Sequence, residues 1–206
     1  AGTKMGGRGA NFGCVMSGTP IEADYIRAEG KAGRMGARLM AIVAVGQRGR
    51  VYLSPTPEHE AAAEKAKPNW KPDVEFFQQA LGFRVGNYGM KTWSDLFTDR
   101  QLAALGTYSS LAVEVVERAR EDAVRAGISN DNNLLCEVGE GALAYAQAVA
   151  VYLAFAIDRM AMTGNSLVRW NAVGEKAQHC FGRQTLSMLW DFAEPNFLAS
   201  ATGSAE

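Results

Sequence analysis

"LFTDRQLAAL", Leu96 to Leu105, decides the reading of this chain. Thr98 is followed three residues later by Gln101, the spacing of a capping box. In that motif the threonine hydroxyl accepts an early backbone N–H, and the glutamine side chain reaches back to the threonine N–H. Phe97 and Leu102 stand on either side as a hydrophobic staple. A helix is therefore predicted to start at Thr98. Leu102, Leu105, Ala112, Val116, Ala119 and Ala123 then recur every three or four residues and form one apolar stripe. Glu114 with Arg118, and Glu121 with Arg125, are spaced as i,i+4 pairs on the other side. Gly127 is a natural C-terminal stop, which gives a helix of about 28 residues and about 40 Å.

Working outward, "ISNDNN" (Ile128–Asn133) reads as a polar connection. "ALAYAQAVAVYLAFAI" (Ala142–Ile157) is the longest apolar run. It falls short of the roughly 20 residues that span a bilayer, and reads as part of a buried helix from about Gly141 to Thr163. Two long helices with a short link predict an antiparallel pair. The closing stretch "FGRQTLSMLWDFAEPNF" (Phe181–Phe197) suggests another helix from about Gly182 to Ala193, with Leu186, Leu189, Trp190 and Ala193 on one face. Its aromatics are expected to close the helical core. Gly and Ser in "SATGSAE" (Ser200–Glu206) suit a flexible end.

Toward the N-terminus, "AGTKMGGRGANFG" is Gly-rich and irregular. Ala37–Val45 and Arg50–Leu53 are strand-like runs separated by Gly46-Gln47-Arg48-Gly49, so a hairpin is predicted. Both faces of its first strand are apolar, and each calls for a cover. Thr56 as N-cap and Pro57 at the first helical position start a short helix to about Lys67, with His59 a solvated surface residue. Residues 68–97 read as a connector. The fold class expected is α-rich α+β: two long antiparallel helices, shorter helices, and a small N-terminal β-hairpin lobe. The regions are 1–67, a connector over 68–97, and a helical domain over 98–206.

The formal net charge of −1 speaks against wholesale nucleic-acid binding, but it hides an asymmetry. Residues 1–50 carry eight Lys or Arg against three acids, and residues 101–150 carry three against seven. Arg34, Arg38, Arg48 and Arg50 gather around the hairpin. They are either a soluble rim or an edge that faces phosphates.

Cys14, Cys136 and Cys180 are widely spaced, no Cys-x-x-Cys occurs, and the other metal-ligating imidazoles are only His59 and His179. No metal-ligand spacing results. The odd cysteine count and the lack of a signal peptide fit an intracellular, cytoplasmic setting. Cys180 beside His179 is the one close nucleophile–base pair, yet neighbouring residues point in different directions. Asp191 and Glu194 could do acid–base work, but pair as readily with Arg183 or Arg169. Phosphate loops and hydrolase or zinc-protease motifs are missing, so the sequence does not describe a complete enzyme.

Three blocks carry a resemblance. They are "AEGKAGRMGARLMAIVAVGQRGRVYLSPTPEHE" (Ala28–Glu60), "GFRVGNYGMKTWSDLFTDRQLAAL" (Gly82–Leu105) and "RWNAVGEKAQHCFGRQTLSMLWDFAE" (Arg169–Glu194). In order and spacing they resemble the large adenine-specific DNA methylases of bacterial modification and phage-defence clusters. These carry an N-terminal domain of unknown function and often a zinc ribbon. The resemblance runs from about Gly9 to Phe197. It implies a parent enzyme that uses S-adenosylmethionine to methylate the exocyclic amine of adenine.

The family's Phe-x-Gly-x-Gly-type cofactor loop precedes this region, and its Asp-Pro-Pro-Tyr-type tetrapeptide follows it. Neither is present: there is no Pro-Pro, and "GGRGANF" (Gly6–Phe12) has the wrong order. No catalytic, cofactor or metal residue carries over. "FGCVMSGTPI" (Phe12–Ile21) keeps one cysteine, Cys14, where the zinc ribbon would pair two. The chain is expected to be the non-catalytic central insert of such a methylase, inactive alone. Its partners would be double-stranded DNA and the parent's catalytic domain, with no membrane. The alternative is a module that docks other defence-system proteins without touching DNA.

Overall fold

A computed structural model describes residues 3–7, 9–78, 82–182 and 184–199. Arg183 and the Ser200–Glu206 end lie outside the described residues. The fold is mixed α+β, with four α-helices and three separate two-stranded antiparallel sheets among the described residues. It divides into two compact units, and each is discontinuous in sequence.

The first unit comprises Ala1–Glu64, Pro72–Leu96 and Gly182–Trp190. It holds β1 (Phe12–Gly13), β2 (Pro20–Ile21), α1 (Ala23–Lys31), β3 (Ile42–Gly46), β4 (Gly49–Leu53) and α2 (Pro57–Glu64). The predicted hairpin is shorter at its start, because residues 37–41 are not strand and are exposed. Its turn is Gln47-Arg48, and Gly49 sits at φ +130°, a conformation that a side chain resists. The expected covers are partial among the described residues: Ile42, Val43 and Ala44 of β3 are half-buried, while Val45 and, on β4, Val51, Tyr52 and Leu53 are exposed.

Residues 68–97, read as a connector, are divided between the units. Their 3-10 turn over Val85–Tyr88 crosses α1 so closely that side chains are excluded. A Cβ on Gly30 would lie 2.6 Å from the Tyr88 carbonyl oxygen, and one on Gly89 2.4 Å from that of Gly30. Val85 is fully buried. Rings complete this core: Phe12 and Tyr88 meet Trp190 edge-on at 4.8 and 5.0 Å, and Phe76 meets Trp93 at 5.7 Å.

The closing stretch is therefore not the helix that its apolar spacing suggested. Among its described residues, 182–193 hold no helical turn. The Leu186 carbonyl instead accepts the N–H groups of Arg84 and Val85, at 2.8 and 3.3 Å. Leu186 and Trp190 serve the first unit, whereas Phe197 is buried in the second. Apolar residues three and four apart suited a helix, but backbone partners elsewhere in the chain claim this segment.

The second unit comprises Lys65–Lys71, Phe97–Phe181 and Asp191–Glu206. Here the capping box forms as the sequence requires. Thr98 Oγ1 accepts the Gln101 N–H, and Gln101 Oε1 accepts the Thr98 N–H at 2.8 Å. The resulting helix, α3, spans Asp99–Arg125. It ends in a Schellman arrangement: Gly127 (φ +92°) donates to Val124 O, and Ile128 donates to Ala123 O, both at 3.0 Å. Arg125 pairs with Glu121 at 3.7 Å and with Asp122 at 2.9 Å, while Glu114 and Arg118 form no such pair among the described residues.

The link to α4 (Ala142–Thr163) is longer than "ISNDNN" implied, with its own 3-10 turn over Leu135–Glu137. Arg120 fastens it through Asn130 and Asn132 at 3.1 and 2.9 Å. The Ala142 N–H reaches Ser129 O at 2.8 Å, which sets the start of α4 beside the end of α3. The two helices pack on each other, and β5 (Arg169–Asn171) and β6 (Lys176–Gln178) follow. The expected burial of α4 does not hold. The helix is long and apolar enough to cross a membrane by length and composition, yet only 17% of its most apolar window is buried. Ala142, Ala144, Ala146 and Met160 are inside, while Tyr145, Val151, Tyr152 and Phe155 are exposed.

Candidate nucleic-acid interface

The β3–β4 ribbon carries two of the four arginines singled out in the sequence. Its register pairs Ile42 with Leu53, Val43 with Tyr52, Ala44 with Val51 and Val45 with Arg50. Opposed residues share a face of the ribbon, so one face bears Val43, Tyr52, Val45 and Arg50. Val45 is 76% exposed, and Arg48 lies in the turn beyond it. Neither Arg48 nor Arg50 has an acidic partner among the described residues. Alternation along the two strands was the signal that could have placed Val45 and Tyr52 beside Arg50 in advance.

The other two arginines have different surroundings. Arg34 folds back on α1 and grips Glu29 with two contacts of 2.8 and 2.6 Å. That guanidinium holds the Glu29 carboxyl below the usual carboxylate range, so most of the charge of Arg34 is already answered. Arg38 is 90% exposed and comes within 4.0 Å of Glu60 on α2, a contact weak enough in water to be exchanged. The unengaged positive charge is thus that of Arg48 and Arg50, with Arg38 in reserve. A guanidinium of this kind can sit on a phosphate through paired N–H donors.

His59 is exposed at the surface, as its sequence position suggested, and it also bonds to Thr56. Its Nδ1 meets the Thr56 hydroxyl at 2.9 Å and the Thr56 N–H at 3.2 Å, and so caps the start of α2. Cys14 opens a tight loop between β1 and β2, where the Gly18 N–H returns to the Cys14 carbonyl at 2.8 Å. The Ser17 hydroxyl, three residues on, lies beside Cys14. It stabilises the thiolate and lowers the Cys14 pKa. One thiol and one hydroxyl are a poor donor set for zinc, and no group of three or more His, Cys, Asp or Glu comes together among the described residues.

The Cys180 thiol is pushed up by burial, the opposite of an activated nucleophile. Asn165 holds it: the amide nitrogen lies 3.1 Å from Sγ and 2.8 Å from Ala161 O, while Oδ1 accepts the Leu167 N–H at 2.9 Å. This buried asparagine, which the sequence pattern did not mark, closes the end of α4. Glu194 is taken by Arg100, at 2.8 and 2.9 Å, and not by Arg169, which bonds Gln178.

Comparison with models of known protein families, with curated proteins and with solved structures gives no match for this chain.

Proposed function

We propose that this chain is a non-catalytic insert of an S-adenosylmethionine-dependent, adenine-specific DNA methylase, and that it grips duplex DNA through the β3–β4 ribbon. One observation carries the reading: Arg48, exposed in the turn, and Arg50, half-buried on β4, have no acidic partners among the described residues. A ribbon of two strands fits the width of a major groove. Arginines without base-matching neighbours make contacts that position the protein and do not read sequence. An enzyme that extrudes a base needs such a grip on the flanking duplex.

The three blocks that resemble the methylases supply the rest. No residue here is assigned to the cofactor or to methyl transfer; both belong to the parent's other segments, inside the cell where its DNA is. The long helices are read as an antiparallel pair, supported by the Ala142–Ser129 hydrogen bond at one end. Retention of duplex DNA by the wild-type chain at low salt, in an electrophoretic assay, tests the reading. Absence of any retention contradicts it. The docking-module reading is favoured by the exposed apolar residues of α4, which suit a protein surface better than a phosphate backbone.

A further inference from the structure

The β3–β4 ribbon has two unlike faces. One pairs Ile42 with Leu53 and Ala44 with Val51, and all four are aliphatic. The other pairs Val43 with Tyr52 and Val45 with Arg50. On that second face Tyr52 is 53% and Val45 76% exposed. Tyr52 follows Arg50 by two residues, about 7 Å along the same strand. It is also the diagonal cross-strand neighbour of Val45, within reach of a long or aromatic side chain. An exposed ring, an exposed aliphatic group and a guanidinium without an acidic partner among the described residues therefore share one surface.

Phosphate contact gives the arginines an occupant but leaves the ring without one. Inside a duplex both faces of a base are stacked on its neighbours. A tyrosine can lie flat only on a base that has left the stack or stands in a single strand. We propose that this face receives an unpaired DNA base, stacked on Tyr52 and bordered by Val45, while Arg48 and Arg50 hold phosphates of the same strand. The proposal rests on the reading of the ribbon as a DNA grip, and it names the form of DNA that the grip favours. Charge argues for this occupant: a flat, apolar, strongly anionic chain matches a ring beside two cations. Every base has a π-face, so the contact adds affinity without reading sequence. Unpaired bases of this kind arise where an enzyme extrudes its target from the helix.

Fluorescence anisotropy of the full chain at low salt tests the proposal. One probe is a fully paired duplex, and the other is the same duplex with a central gap that leaves four deoxyadenosines unpaired. The gapped DNA should bind about tenfold more tightly. Tyr52→Leu should abolish that advantage and leave affinity for the paired duplex within about twofold, whereas Tyr52→Phe should retain it. Independently of any variant, iododeoxyuridine placed in the gap should photocrosslink to Tyr52, read by peptide mass spectrometry. Equal affinities for the two DNAs, an advantage that survives Tyr52→Leu, a gain seen only with a ribonucleotide gap, or crosslinks that avoid β4 each overturn the stacking and leave the duplex grip standing. Failure to bind either DNA removes both readings.

Discussion

Arg100 and Glu194, ninety-four residues apart, meet in a two-point contact of 2.8 and 2.9 Å. The pair ties the first turn of α3 to the segment that follows Trp190. Thr98 Oγ1 adds a long 3.5 Å contact to the same carboxylate. A carboxylate at this place also answers the partial positive charge of a helix start. Glu194→Gln should cost about 1 kcal/mol, since both groups remain partly in water. Arg100→Gln should cost a similar amount, and the double variant no more than either alone. Denaturation midpoints of the three variants check this; strictly additive losses would mean that the pair is incidental.

The two ends of α3 should respond separately. Thr98→Ala removes the acceptor for the Gln101 N–H, worth about 1 kcal/mol. Gly127→Val forces a β-branched residue to φ +92°, at a cost of about 1–2 kcal/mol. Thermal or chemical unfolding of each variant should show a clear loss, and an unchanged midpoint would dissociate the caps from stability.

The thiols should separate by environment. The Ser17 hydroxyl lowers the pKa of Cys14, so more thiolate is present at neutral pH, whereas burial raises that of Cys180. Alkylation near neutral pH should label Cys14 well before Cys180. Because its pKa is raised, Cys180 should gain more in rate than Cys14 as the pH is moved into the alkaline range. Ser17→Ala should slow Cys14. Equal rates at the two sites, read by peptide mass spectrometry, would contradict the assignment.

What the sequence disclosed was mostly local. The capping box at Thr98 and Gln101, the stop at Gly127 and the Gly141 start of α4 depend on neighbours a few residues away, and the spacing of side chains declares them. The hairpin turn at Gln47-Arg48 is likewise a short-range feature. The closing segment was illegible because its partners, Arg84 and Val85, lie about a hundred residues upstream in the chain. Its Leu and Trp spacing satisfied a helix as well as an extended path. The exposure of Tyr152 and Phe155 was missed for a related reason. An apolar run reports that a surface needs cover, but not whether the same chain provides it. At the candidate interface, the charge of Arg34 could not be discounted without seeing Glu29 five residues back across the end of α1.

On the proposed insert reading, the isolated chain should neither bind S-adenosylmethionine nor transfer a methyl group to DNA, because it has no Phe-x-Gly-x-Gly-type loop and no Pro-Pro tetrapeptide. Calorimetry with the cofactor and a labelled-methyl assay check this. Micromolar binding or measurable transfer would contradict the insert reading.

The most direct measurement is the salt dependence of duplex DNA binding for the wild type and for the Arg48→Ala, Arg50→Ala double variant. With Arg34 occupied by Glu29, two or three phosphates are available to Arg38, Arg48 and Arg50, so log K should fall with log salt at a slope of about −2 to −3. Binding should be weak, on the order of 10⁻⁴ to 10⁻⁶ M, and indifferent to base sequence. The double variant should bind every duplex less well and shallow the slope by up to about two units. An identical slope and affinity in the double variant would contradict the proposed grip.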